Sequence, residues 1–308
     1  MPTAMAGLVD QSLGVPSGTI ESIVTDTCLG APANSSIQRN LIVMSPGFGV
    51  SRLVYKTLTT SLAASGYVVI GIDHSYDANV VEYPSGRLVF AAPVNQSAPN
   101  AISSIVEVRT KDVQFVLDQV CGDKDLTRGI PVNCGVRKVG MFGRSLGGAT
   151  TADMTIIDQR IAAGVNLDGT FFPIQNGPDA SPHTPFLVFA AEGHNGTTDP
   201  TFTDWFQTSA ARLAERLMAT VEGAKHLTFT DYPVLLNSLG FPKSILLAAE
   251  GAELGTIDGS RISEILQAYL NAWFDLVLKG EAASAEKLLE HGGEMYPEVD
   301  PAQVQGTA

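Results

Sequence analysis

Cysteine is scarce in this chain, with three in 308 residues and no Cys-x-x-Cys pair, so neither a disulfide framework nor a cysteine zinc site organises it. Basic side chains are also few. Nineteen Lys and Arg face 32 Asp and Glu, giving a formal net charge of -13 and a pI near 4.7. That balance argues against nucleic acid or an anionic membrane surface as the main partner, because both select clustered positive charge. No apolar run approaches the ~20 residues that cross a bilayer. Residues 1–11, MPTAMAGLVDQ, lack the charged segment followed by an apolar one that marks a secretory signal, so the chain is either cytosolic or has lost its signal. Internal repeats are missing, as is any linker long enough to divide the chain. What remains is 44% hydrophobic and 17% charged, enough to bury a sizeable core in a single domain over 1–308.

Apolar runs inside that domain alternate with helical patterns. Leu41-Ile42-Val43-Met44 is continuously apolar, as expected of a strand covered on both faces of a parallel sheet. Residues 67–72, 139–142, 162–167, 185–191 and 217–221 read the same way, and residues 19–25, TIESIVT, alternate like a half-exposed edge strand. Helices are expected over 53–65, over 102–120 and over 261–279, where Ile262, Ile265, Leu266, Tyr269, Trp273 and Val277 share a stripe. A turn and short strand over 82–94 suit an excursion above the sheet. The whole specifies an α/β fold, a mostly parallel sheet with helices on both faces. Its catalytic core is expected over about 19–279, with a loosely held tail over 281–308.

The chemistry centres on Gly143-Arg144-Ser145-Leu146-Gly147, a Gly-x-Ser-x-Gly between an apolar run and small residues suited to a helix. This is the nucleophile-elbow pattern, in which a strained strand-to-helix turn exposes the serine. A serine hydroxyl is a weak nucleophile and needs a histidine to take its proton and an acid to hold that histidine. Of five histidines, the order Ser, acid, His of this fold removes His74. His183 precedes its strand, His194 leaves little room for an acid before it, and His291 lies in the tail. His226 follows a strand at the carboxyl edge of the sheet and is the expected base. Two acids end adjacent strands, Asp168, 23 residues beyond Ser145, and Glu192; the spacing alone leaves both open.

Four segments carry a resemblance. Gly143-Arg144-Ser145-Leu146-Gly147-Gly148-Ala149-Thr150, Asn166-Leu167-Asp168-Gly169-Thr170-Phe171-Phe172-Pro173, Ile72-Asp73-His74-Ser75-Tyr76-Asp77 and His226-Leu227-Thr228-Phe229-Thr230-Asp231 together resemble the platelet-activating factor acetylhydrolase-like esterases and lipases of the α/β-hydrolase superfamily. The resemblance runs from about residue 41 to 273. It implies a cofactor-free serine esterase with Asp168 as acid and His226 as base, acting on short-chain acyl or lipid-like esters. Ser45-Pro46-Gly47-Phe48-Gly49 is similar to that family's oxyanion loop and to that of bacterial cutinases, which makes the backbone N–H groups of Phe48 and Leu146 the expected oxyanion donors. The family carries histidine just before the nucleophile; Arg144 departs from this and is expected to line the entrance, favouring anionic or polar substrates.

Phe48, Phe171, Phe172, Trp205 and Phe206 are candidates for an apolar acyl pocket beside the serine. Asp73, His74 and Asp77 lack a further ligand at metal-site spacing, so no metal is expected there; a supporting role behind the oxyanion loop is. Cys121 and Cys134 bracket a short polar segment that a disulfide would close, leaving Cys28 unpaired. With the glycosylation patterns at Asn34, Asn95 and Asn195, that bridge favours a secreted protein with its signal removed over a cytoplasmic one. Rival readings are a cutinase or polyester hydrolase, a tailoring hydrolase or cyclase of secondary metabolism, and a pseudoenzyme that only binds a hydrophobic ligand. Oligomeric state is not readable.

Overall fold

A computed structural model describes residues 1–308 except 26, 29, 32–35, 124, 128, 173–183, 209–215, 241–253, 282–293 and 303–308. Strand β1 (Arg39–Ser45) is central to one end of the sheet. It pairs in parallel with β2 (Val68–Gly71) on one side and with β6 (Val139–Arg144) on the other. From β6 the parallel ladder continues through β7 (Ile161–Leu167), β8 (Phe186–Ala191) and β9 (Arg216–Val221). The short β5 (Val132–Asn133) pairs with the start of β1. Leu41, Ile42, Val43 and Met44 are buried on both faces, as a continuous apolar run in a two-sided sheet requires.

Helices α2 (Lys56–Ala64), α3 (Ala101–Gly122), α4 (Leu146–Ile157), α5 (Pro200–Thr208), α6 (Tyr232–Ser238) and α7 (Gly259–Phe274) fill the crossovers. Their apolar stripes build two layers. Ile262, Ile265, Leu266, Tyr269, Leu270 and Trp273 of α7 join Ile42, Met44, Phe142 and Val165 in one core. Val113, Leu117 and Val120 of α3 join Leu41, Val43, Val139 and Met141 in the other. The 82–94 excursion is a hairpin, β3 (Val80–Glu82) against β4 (Leu88–Phe90). Cys121, in the last turn of α3, is bridged to Cys134 just after β5, so the segment leading into β6 is covalently tied; Cys28 is free and exposed.

Two expectations are corrected, and one helix is added. Residues 19–25 form turns rather than an edge strand. The Asp10 carboxylate accepts from the Gly18 and Ile20 backbone N–H groups at 2.7 and 2.9 Å, which replaces ladder hydrogen bonds by local ones. Asp10 itself belongs to an unanticipated helix, α1 (Thr3–Leu13), which buries Met5, Val9 and Leu13 in the larger core. The tail is not loose throughout. Tyr296 and Val299 are buried, and β10 (Val299–Ala302) adds an antiparallel strand to the edge of β9.

Candidate active site

The elbow stands where β6 meets α4. Ser145 has φ 55° and ψ -123°, a sparsely populated conformation that persists only when its surroundings hold it. They do so here: the Ser145 N–H donates to the Leu167 carbonyl at 2.9 Å, while the Ser145 carbonyl accepts from Gly148 N–H at 2.8 Å. Gly147 is required by close approach, since a Cβ there would lie 2.0 Å from the Ser45 carbonyl oxygen. The first turn of α4 is thereby pressed against the loop that follows β1.

Asp168 terminates β7 one residue beyond the ladder, also at positive φ, 58°. Asn166 holds that turn with both ends of its amide: Nδ2 donates to the Gly169 carbonyl at 2.7 Å, and Oδ1 accepts from Gly169 N–H at 2.8 Å. The Asp168 carboxylate is turned toward the carboxyl edge of the sheet. Its Oδ2 accepts from His226 Nδ1 at 2.6 Å, and its Oδ1 accepts from Ala191 N–H and from His194 Nδ1, each at 2.7 Å. Burial alone would raise its pKa, but the bonds from His194, His226 and the Ala191 N–H outweigh burial and bring it down to about 2. An ionised carboxylate only accepts, so Nδ1 of His226 carries the proton and Nε2 presents its lone pair. Nε2 lies 3.0 Å from Ser145 Oγ.

The loop carrying His226 is anchored from below. Arg144 Nε and a terminal guanidinium nitrogen donate to the His226 carbonyl at 3.1 and 2.7 Å, and Arg144 is 3% exposed. It does not line the entrance as expected. As the last residue of β6, its side chain falls beneath the turn and holds the histidine loop. Glu192 is likewise corrected as an alternative acid: it is exposed, and its Oε2 accepts from Gly223 N–H at 3.1 Å. His183 and His291 lie outside the described residues.

Behind the loop of residues 45–49 is an ion-paired frame. Arg109, 1% exposed, donates to the Pro46 carbonyl at 2.6 Å and the Gly47 carbonyl at 3.2 Å, and pairs with Asp77 at 2.6 and 2.8 Å. Asp77 also accepts from Gly49 N–H at 3.2 Å. Asp73 accepts from Ser51 Oγ and Arg52 N–H, at 3.0 and 2.8 Å, and pairs with the Arg52 guanidinium. His74, whose pKa burial pushes down, bridges Asp112 at 2.7 Å and Ser45 Oγ at 3.0 Å. These three residues therefore support the loop. In the sequence nothing sets Arg109 apart from the other polar residues of the helix expected over 102–120.

The candidate pocket residues divide. Phe48 and Phe172, both half-buried, pack with Leu146, Ala149, Ile102 and Ile105 next to Ser145. Phe171 and Phe206 belong instead to the core under β8, where Phe171 stacks on Trp205 at 4.7 Å between centroids, 2° from parallel. A ring already covered by core partners is not free to wall a cleft. Ile102 and Ile105, at the start of α3, were hidden by its regular helical stripe.

Comparison with known proteins gives the family. The family profile described as "Platelet-activating factor acetylhydrolase, isoform II" matches residues 13–88 and 96–243. The chain belongs to this family. A probable 1-alkyl-2-acetylglycerophosphocholine esterase from Arthroderma benhamiae is 28% identical over 265 residues, covering 84% of this chain and 65% of the relative. The platelet-activating factor acetylhydrolase of Cavia porcellus is 22% identical over 233 residues, 66% of this chain and 50% of that protein. The chain thus spans between half and two thirds of the length of these curated relatives. Among solved structures, a ferulic acid esterase from Streptomyces cinnamoneus superposes with a TM-score of 0.79 at 29% identity, covering 98% of this chain and 84% of the other. Its likeness places the fold among the α/β-hydrolases.

Proposed function

We propose that this member of the family hydrolyses carboxylic esters through an acyl-serine intermediate, with Ser145 as nucleophile, His226 as general base and acid, and Asp168 as the orienting acid. The observation that carries the reading is the continuous chain Ser145 Oγ, His226 Nε2, His226 Nδ1, Asp168 Oδ2, with links of 3.0 and 2.6 Å on a strained elbow. Oγ attacks the ester carbonyl carbon as its proton passes to Nε2. Ionised Asp168 stabilises the imidazolium that results. The carbonyl oxygen becomes an oxyanion, received by the N–H groups of Leu146 and Phe48. Leu146 is the first residue of α4, so its N–H belongs to a helix turn without intrahelical acceptors. Collapse breaks the carbonyl carbon to alkoxy oxygen bond, and Nε2 returns the proton to the departing alkoxide. Water then repeats the sequence to free the acid and Ser145. No cofactor enters any step.

The substrates are short-chain acyl or lipid-like esters, supported by the family and by the apolar wall of Phe48, Leu146, Ile102, Ile105 and Phe172. A second reading, an aromatic acyl ester, draws support from the Streptomyces neighbour and the two phenylalanine rings on that wall. A panel of p-nitrophenyl esters of rising chain length, extended to an sn-2-acetyl phospholipid, a feruloyl ester and a soluble polyester, decides between them. The first reading expects the highest kcat/KM on acetyl to butyryl esters. A preference for the feruloyl ester overturns it in favour of the second. The Cys121–Cys134 bridge favours an oxidising compartment, so the protein is proposed to be secreted. Among described residues no helix is long and apolar enough to cross a membrane.

A further inference from the structure

The triad acid has a second histidine. Oδ1 of Asp168 accepts from His194 Nδ1 at 2.7 Å, while the other ring nitrogen of His194 meets Asp199 Oδ2 at 3.1 Å. Asp199 is itself fixed: its Oδ2 accepts from Thr170 Oγ1 at 2.7 Å, and its Oδ1 accepts from Thr201 Oγ1 at 2.6 Å and Thr201 N–H at 3.0 Å. The ring also rests on Phe202, centroids 4.7 Å apart. Two ionised carboxylates, one on each ring nitrogen, can both be satisfied only if both nitrogens carry hydrogen, and an imidazole with two N–H groups is a cation. The bonds to Asp168 and Asp199 accordingly hold the His194 pKa above its usual value despite burial. On both carboxylates, hydrogen bonds outweigh burial and lower the pKa.

We propose that His194 is a positioning residue for the triad, an imidazolium strung between Asp199 and Asp168 that orients the Asp168 carboxylate toward His226. The inference deepens the esterase reading and rests on it for its kinetic expression. Each of the three bonds to Asp168 has a separate place: Ala191 N–H and His194 occupy Oδ1, leaving Oδ2 to His226. Without His194, Oδ1 keeps one donor and the carboxylate can rotate about its χ2. The cation on Oδ1 is also one of the donors that hold the Asp168 carboxyl ionised. Among the described residues, charged groups reach this chain from several elements: Arg144, at the end of β6, donates to the His226 carbonyl at 3.1 and 2.7 Å. Asp168 comes from the end of β7 and Asp199 from the residue before α5. Lys225 and His226 come from the loop after β9, with Lys225 Nζ on the Glu192 carbonyl at 3.4 Å, and the Glu192 carboxylate is turned to Gly223 N–H.

Two substitutions separate orientation from charge. His194→Asn keeps a donor near the Nδ1 position and removes the cation; His194→Phe removes both while preserving the packing on Phe202. On a p-nitrophenyl ester at neutral pH, His194→Asn is expected to retain most of the parental kcat. His194→Phe is expected to lower kcat about tenfold with KM unchanged. Should His194→Phe not fold, Asp199→Asn, which removes the anion that holds the cation, is expected to lower kcat with KM unchanged. A kcat identical to the parent in the second variant overturns the proposal. So does a change confined to KM. Carboxyl NMR titration of Asp168 in the full-length protein needs no turnover. His194 is one of the donors that hold the Asp168 pKa down, so an upward displacement in the second variant supports the role of His194 even if no ester is hydrolysed, an outcome that would sink only the esterase reading.

Discussion

Arg144 offers the sharpest perturbation, because its position beneath the elbow replaces the role expected for it at the entrance. Its guanidinium places two N–H donors on one acceptor, the His226 carbonyl, at 3.1 and 2.7 Å in a buried setting. A hydrogen bond from a charged donor contributes about 1.5–3 kcal/mol, and an orphaned buried carbonyl costs about 1–3 kcal/mol. The two donors share one oxygen and are not additive, so Arg144→Met should cost about 2–4 kcal/mol in stability. At roughly 2–4 °C per kcal/mol for a domain of this size, Tm falls by roughly 5–15 °C. The same change frees the backbone on which the His226 ring rides. A displacement of about 1 Å can cost on the order of 100-fold in rate, so kcat should fall about 10- to 100-fold even well below Tm. Calorimetry gives the first number; steady-state kinetics on matched neutral and anionic p-nitrophenyl esters gives the second. The anionic-to-neutral preference should not change, because the guanidinium does not face the cleft. A variant with parental Tm and kcat but altered charge preference would refute this account and restore an entrance role.

Further outcomes follow from the same geometry. Asp168→Asn should lower kcat by on the order of 10³- to 10⁴-fold, by disfavouring the His226 tautomer with a free Nε2, whereas Glu192→Gln should leave kcat within about twofold; the reverse pattern would reassign the acid. Asp168 has its folded-state pKa depressed to about 2, against 3.8 in the open chain. Its stabilising contribution is therefore complete above about pH 4 and disappears as pH falls through 2. Denaturant titrations of parent and Asp168→Asn should converge by about 2 kcal/mol between pH 5 and pH 2. Replacing Cys121 and Cys134 by serine opens a loop with a sequence separation of 13, and should cost about 3 kcal/mol by denaturant unfolding. An unchanged midpoint would mean that the open chain gains no freedom there.

Most of the parallel sheet was legible because its strands are continuous apolar runs with few alternative uses. The elbow was legible because its glycines answer to steric demands, such as the Ser45 carbonyl against Gly147. What escaped reading depended on contacts between segments. The alternation of residues 19–25 fits a strand until the Asp10 carboxylate claims the N–H of Ile20, and that of Gly18 just before it. Val9 and Leu13 have helical spacing with Met5, a signal present in the chain but short and without a side-chain N-cap to mark its start. Asp168 and Glu192 end neighbouring strands, so spacing could not choose between them; the register of β7 on β8 and the turn built by Asn166 do. His194 lies two residues beyond Glu192 in the chain, with little room for an acid before it. Gly193, at φ 81°, turns the chain after β8 and brings the ring back over Asp168, a reversal that linear spacing does not reveal. The buried direction of Arg144 likewise follows from its place as the last residue of β6, under the turn.

Covalent trapping of the nucleophile tests the central claim most directly. Incubated with a fluorophosphonate ester, which phosphonylates a serine activated by a neighbouring histidine, the protein is expected to gain one phosphonyl group per chain. Peptide mass spectrometry should place it on Ser145, with matching loss of p-nitrophenyl acetate hydrolysis. Ser145→Ala should take up none and hydrolyse the ester no faster than background. Stoichiometric labelling at another residue, or parental turnover by Ser145→Ala, would contradict the account at its root.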